Sequence, residues 1–259
     1  MGKLIQKVKI FIRGLLAPFI GFSHAKDWHS AKLRTSGYEG DATLESLATR
    51  IEPLKSPETL PHDERLVEIV RAFRESALQI EGTTPIRVLD IGGSFGEHFF
   101  HLKKLLPKHS FDWTVLETEG HCSIIPEFLK STLGLRFIYE PPMSNQHFDI
   151  ALLSSVIQYV DAPYELLSMA LGNSDSVIVN RVPLSPYSED RVAIQRPGLL
   201  NKKGSYPVHI FSETVFIRYL EQVAEIKRRW MVPQDSAVIR FKYIENQGLL
   251  LKPRRNNSV

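Results

Sequence analysis

Between residues 86 and 181, short apolar runs alternate with helical patterns, and this alternation constrains the fold more than any other feature of the chain. The apolar runs fall at 86–91, 113–117, 136–139, 148–154 and 176–181. Helical patterns fall between them at 97–106, 124–133 and 163–170. The run FDIALLSS lacks the in–out alternation of a half-exposed strand, as expected when both faces are covered. Strands and helices alternating at this spacing predict a parallel sheet with helices on both sides.

The flanks extend this unit. After residue 210 a helix is predicted over 211–223, followed by strands over 225–232 and 248–252, with 237–243 as an extra strand. The segment 183–210, rich in Pro, Ser and charge, reads as a long substrate-side loop or insertion. The main domain is therefore 85–252, with a loose tail at 253–259. Residues 1–84 form an N-terminal helical region. Within it, Leu66, Ile69, Val70, Phe73 and Ala77 recur at helical spacing and predict one buried face.

The first 22 residues read as a basic amphipathic helix, with Leu4, Val8, Phe11, Leu15 and Phe19 on one side. Arg13 and Pro18 interrupt its apolar run, which is shorter than the ~20 residues a membrane span requires. Three roles stay open: packing on the protein or a partner subunit, lying on an anionic membrane surface, or a leader cleaved near Ser23 and Ala25.

Composition sets limits. Hydrophobic residues are 43% and charged residues 24%, enough apolar content for a substantial core. A net charge of +3 is too small to indicate a nucleic-acid surface. The single cysteine, Cys122, can build neither a disulfide framework nor a cysteine metal site, and fits a reducing, cytoplasmic setting.

The most chemical stretch is VLDIGGSFGEHFF, residues 88–100. It carries a strand into Asp90, then Gly92, Gly93, Ser94 and Gly96, then a helix. Glycines let backbone approach a ligand, and amides at a helix start attract negative groups. A P-loop is excluded because no GK[ST] follows, and the dinucleotide pattern GxGxxG fails at its second glycine. Asp90-x-Gly92-x-Ser94-x-Gly96 instead resembles the first motif of class I S-adenosylmethionine-dependent methyltransferases, with serine at the middle glycine.

That resemblance implies a Rossmann-like fold: a seven-stranded, mostly parallel sheet closed by a reversed C-terminal hairpin. It implies S-adenosylmethionine as cofactor and a methyl-transfer enzyme of class EC 2.1.1. The glycine loop would pack on the cofactor's amino-acid part, and Asp90 would hold its ammonium directly or through water. Glu117, ending WTVLE 27 positions past Asp90, would bind the ribose hydroxyls. Adenine would sit near Glu140 and Pro141. In FDIALLSSVIQYVDAPYELL, Ser154 and Ser155 would line the cofactor, and Tyr159 takes a place where many relatives have histidine.

A narrower resemblance covers almost the whole chain from Trp28. WHSAKLRTSGYE, DER, VLDIGGSFG, SSVIQYVDAPYELL, NRVP and SYP occur in that order, as in methyltransferases of bacterial O-antigen and capsule gene clusters. It implies a small polar acceptor, a sugar or glycan intermediate of surface-polysaccharide synthesis. The chain departs from that pattern at Asn180-Arg181-Val182-Pro183 and at Val208-His209.

Acceptor-side candidates are Arg181, for a carboxylate or phosphate, His209 as base, and Tyr206. Each has a structural alternative: ion pairing with Asp190 or Glu189, an exposed loop, or packing. His98, His101, His109 and His121 lack metal-ligand spacing, so no metal is expected. The rival to the enzyme is a non-catalytic scaffold or partner subunit of the same fold. No nucleic-acid partner is expected, since no Asn/Asp-Pro-Pro-Tyr/Phe motif ends the fourth strand. Peripheral membrane contact through 1–22 and oligomer formation stay open.

Overall fold

The structure, a computed structural model, describes residues 21–37, 50–60, 63–78, 85–196, 204–232, 237–239 and 242–255. The helix expected over 1–22 lies outside these residues, except Gly21 and Phe22, which begin a strand rather than end a helix. Eleven strands are described: β1 (Gly21–Ala25), β2 (Ile86–Ile91), β3 (Phe111–Leu116), β4 (Leu135–Ile138), β5 (Phe148–Ser154), β6 (Ser174–Ser185), β7 (Arg191–Arg196), β8 (Tyr206–Ser212), β9 (Ala224–Met231), β10 (Ala237–Ile239) and β11 (Lys242–Pro253). The α-helices are α1 (Trp28–Lys32), α2 (Val67–Ala77), α3 (Glu97–Leu105), α4 (Glu119–Ser123), α5 (Glu127–Lys130), α6 (Pro163–Gly172) and α7 (Glu213–Val223).

Seven of the eleven strands of the described sheet follow the expected arrangement. Their order is β4-β3-β2-β5-β6-β11-β9, with the first five parallel and β11 antiparallel to both β6 and β9. This is the mostly parallel sheet with a reversed C-terminal hairpin. Chain order reverses at β2, which lies between β3 and β5.

The continuous apolar runs are explained by two cores. Successive residues of one strand enter opposite faces: Val88, Ile150 and Ile178 join one core, while Leu89, Ala151 and Val179 join the other. The first face is covered by α2 and α3, with Phe73 stacked 5.7 Å from the fully buried Trp113. The second face is covered by α6 and α7, through Leu167, Ala170, Phe216 and Leu220. Each large side chain so buried contributes about 1.5–3 kcal/mol. The five residues expected on the buried face of α2 are all buried, Leu66 just before its first turn.

Of the two readings of 183–210, loop or insertion, the described residues form an insertion of strands. Residues 183–185 continue β6, and β7 pairs antiparallel with β8 and with β1. β8 joins the main sheet by pairing parallel with the end of β6 at Leu184 and Ser185. The N-terminal region therefore adds strand β1 as well as helices. The tail also begins later than expected: Pro253 ends β11, Arg254 N–H donates to the Val223 carbonyl at 2.9 Å, and Arg255 pairs with Asp175. No helix among the described residues is long and apolar enough to cross a membrane.

Candidate functional site

Parallel strands of this kind leave a crevice at their carboxyl ends where the order reverses. There the chain encloses a cavity of about 660 Å³. Gly92, Gly93 and Ser94 line it after β2, Glu117 and Thr118 after β3, and Ser154 and Ser155 at the end of β5. Asn180 and Arg181 enter from β6, and Arg50, Asp63, Arg65 and Ile69 from the N-terminal region.

The glycine loop folds over a buried carboxylate. Asp90 is fully buried and does not line the cavity. Its Oδ2 accepts from Trp113 Nε1 at 3.2 Å and lies 3.1 Å from His98 Nδ1. Its Oδ1 has no hydrogen-bond partner among the described residues. A Cβ on Gly93 would stand 2.4 Å from Oδ2, so only glycine lets the loop cross here. Of the two expected ways for Asp90 to hold a ligand ammonium, directly or through water, its burial disfavours direct contact: His98 lines the cavity, and Asp90 stands behind it.

Glu117 ties two strands together. Its Oε1 accepts from Ser94 N–H at 2.8 Å and its Oε2 from Thr118 N–H at 3.3 Å. Burial raises its pKa, against the lowering effect of those two amides.

Three non-glycine residues among those described have left-handed backbones: Ser94 (φ 54°), Ser155 (φ 61°) and Arg181 (φ 64°). All three line this cavity. Each such residue costs of order 1–3 kcal/mol, and strain of this kind concentrates at functional sites. Gln158, only 3% exposed, braces two of them. Its Nε2 donates to Ser155 Oγ and to the Arg181 carbonyl, both at 3.2 Å. Gln158 escaped notice in the sequence because one of its two partners, the Arg181 carbonyl, comes from β6, 23 residues away.

Of the expected acceptor-side residues, Arg181 is in the cavity, whereas Tyr206 and His209 are not among its lining residues. The His209 ring is stacked 4.4 Å from Trp28 at 7° and lies 5.9 Å from Phe211, and burial lowers its pKa. This packing between α1 and β8 replaces the exposed loop position that is the structural alternative for His209. Tyr206 is half-buried at the start of β8. Gly96 caps α3 in a left-handed conformation (φ 80°) and shapes the loop from outside the cavity lining. Glu140 and Pro141 follow β4 but likewise do not line it.

Three histidines with no assigned role in the sequence line the cavity: His98, His101 and His121. Burial opposes the charged form of His98, but the charge and hydrogen bond of Asp90 outweigh it and raise its pKa. His121 is 6% exposed, with its ring 4.7 Å from that of Phe95 and its Nε2 without a hydrogen-bond partner among the described residues. Burial, with a contribution from the Arg50 charge, pushes its pKa down to about 4. Below its ordinary pKa of 6.5, the unfolded chain therefore binds a proton that the folded chain refuses. The stability contributed by neutral His121 is complete above pH 6.5 and is lost as pH falls toward about 4. Urea unfolding should show wild type losing about 2–4 kcal/mol more than His121→Gln between pH 7 and pH 4. Parallel losses in the two proteins would contradict this. Among the described residues no group of three His, Cys, Asp or Glu side chains is placed to hold a metal ion.

No protein-family profile matches the chain, and no curated protein matches it. Solved structures do. The N-terminal domain of EvdMO1, in the presence of S-adenosylhomocysteine and D-fucose, is 14% identical, with TM-score 0.51 over 75% of this chain and 85% of that one. A Listeria monocytogenes protein named for S-adenosylmethionine-dependent methyl transfer is 11% identical, with TM-score 0.50 over 71% of this chain and 98% of its own. LepI in complex with S-adenosylmethionine is 13% identical, with TM-score 0.52 over 95% of this chain and 63% of its own. The chain has the Rossmann-like fold of the class I methyltransferases.

Proposed function

We propose that this chain binds S-adenosylmethionine and transfers its methyl group to a small polar acceptor, a sugar or sugar-linked glycan intermediate. One observation carries the reading. A glycine loop and a buried-edge carboxylate, Glu117, meet in one cavity at the strand-order reversal, joined by the 2.8 Å bond from Ser94 N–H. The neighbouring structures with S-adenosylhomocysteine or S-adenosylmethionine named in them support it.

The residues present fit that cofactor. Glu117 offers carboxylate oxygens to ribose hydroxyls. Gly92 and Gly93 let the chain approach the amino-acid end closely, and Ser94 adds a small hydroxyl with no partner of its own among the described residues. When bound, the cofactor supplies an electrophilic methyl on a sulfonium. Ser154, Ser155 and Arg181 then face the remaining space, where Arg181 would hold an anionic group on the acceptor. The work of these residues is alignment: fixed donor and acceptor at near-attack distance lowers the barrier by several kcal/mol.

A second reading, cofactor binding without transfer, is favoured by one observation: His209 and Tyr206 lie outside the cavity lining, so neither is placed as a base. Calorimetric titration with S-adenosylhomocysteine should give one site of micromolar affinity, and no heat at millimolar ligand would reject both readings. Incubation with methyl-labelled cofactor and a panel of nucleotide sugars separates them, since label on a sugar requires transfer.

A further inference from the structure

We propose that His98, held by Asp90, grips the carboxylate at the amino-acid end of the cofactor, an inference that rests on the cofactor reading above. It reassigns the polarity of the first motif. The sequence expectation gave the buried acid an ammonium to hold. The geometry gives it a histidine instead.

The cavity wall carries His98, while Asp90 is fully buried behind it. Asp90 has two described partners, His98 Nδ1 at 3.1 Å and Trp113 Nε1 at 3.2 Å. With Nδ1 committed to Asp90, Nε2 is the ring nitrogen left to a ligand. A protonated ring beside a buried carboxylate forms a neutral pair, so the ring can stay charged where an isolated cation could not. The surface it offers to the cavity is then a donor carrying positive charge. A carboxylate accepts from such a group. An ammonium is repelled by it and could approach only a deprotonated ring.

The backbone points the same way. His98 is the second residue of α3, nine residues long, whose N-cap Gly96 makes no side-chain capping bond. First-turn amides and the helix dipole favour an anion at that end. The acid that occupies the turn, Glu97, is engaged elsewhere: its Oε2 accepts from Phe95 N–H at 3.2 Å, and its Oε1 pairs with Arg50. The charges acting on His98 are thus Asp90 from β2, Glu97 on its own helix, and Arg50, which pairs with Glu97.

The test compares two ligands on two proteins. Calorimetry is run with S-adenosylhomocysteine and with its decarboxylated analogue, on wild type and His98→Gln. Glutamine keeps a donor for Asp90 but removes the charge, and His98→Asn serves if glutamine unfolds the chain. Wild type should prefer the carboxylated ligand. The substitution should weaken that ligand roughly tenfold to a hundredfold, the usual effect of losing a hydrogen bond to a charged group. The decarboxylated analogue should lose less than about threefold, so the preference collapses. An undiminished preference would place the carboxylate on another cavity cation, such as Arg50 or Arg65, and overturn the assignment. Equal weakening of both ligands would overturn it too, by showing that His98 only shapes the loop. If wild type binds neither ligand, the cofactor reading itself falls, a result distinct from either of these.

Discussion

Asp90→Ala should destabilise the fold by about 3–5 kcal/mol in urea unfolding at pH 7, and should remove detectable binding of S-adenosylhomocysteine. The magnitude follows from what the carboxylate holds. Its oxygen receives the indole N–H of the fully buried Trp113 and faces His98 Nδ1. Truncation leaves both without an acceptor and removes the negative charge that raises the pKa of His98. It also empties the space beneath Gly93, over which the loop is drawn. Asp90→Asn should cost less, since an amide oxygen still accepts from Trp113 while the charge is gone. A loss under about 1 kcal/mol for Asp90→Ala would mean that the pair contributes little and that loop geometry is fixed elsewhere.

Gly248→Ala should destabilise by about 2–4 kcal/mol, although residue 248 is not among those lining the cavity. A Cβ there would stand 2.1 to 2.3 Å from three atoms of the Trp230 indole. The register between β11 and β6 shifts at this point, between Gln247 and Leu249, so the backbone has little freedom to withdraw. The ring must move, and its Nε1 bond to Asn180 Oδ1 at 3.0 Å goes with it. Asn180 in turn donates to Ser154 Oγ at 3.4 Å, so the disturbance reaches the cavity. Adding Trp230→Leu should recover part of the loss by removing the clash. Additive losses in the double variant would show that the clash is not the cause.

The residues that were legible share a property: their roles follow from local order. FDIALLSS announces a strand buried on both faces because each neighbour must be apolar when each side has a core. Gly92 and Gly93 announce a close backbone approach because they lack a Cβ, and Glu117 is found by ending an apolar strand. The β9–β11 hairpin is visible for the same reason, and it falls where a reversed pair closes the sheet.

What was not legible depends on partners far away in sequence. β1 and β7 form a pair across 173 residues at Phe22 and Gln195, in segments whose local patterns read as helix and loop. Their extended state is stabilised by each other, which no window of sequence contains. His209 is a candidate base in the sequence because the segment after the fifth strand is expected to border the acceptor. Trp28, from the other end of the chain, stacks on it.

The sequence by itself determined the layered α/β class, the mostly parallel sheet and the place of the glycine loop, because these depend on periodicity and on residues with special backbone freedom. Only the tertiary structure decided which charge meets the cavity. Asp90 and His98 sit on successive elements, β2 and α3, and burial of one makes the other the surface. Charge and hydrogen-bonding capacity belong to residue types, but exposure belongs to the packed chain, and a site's chemistry is set by both.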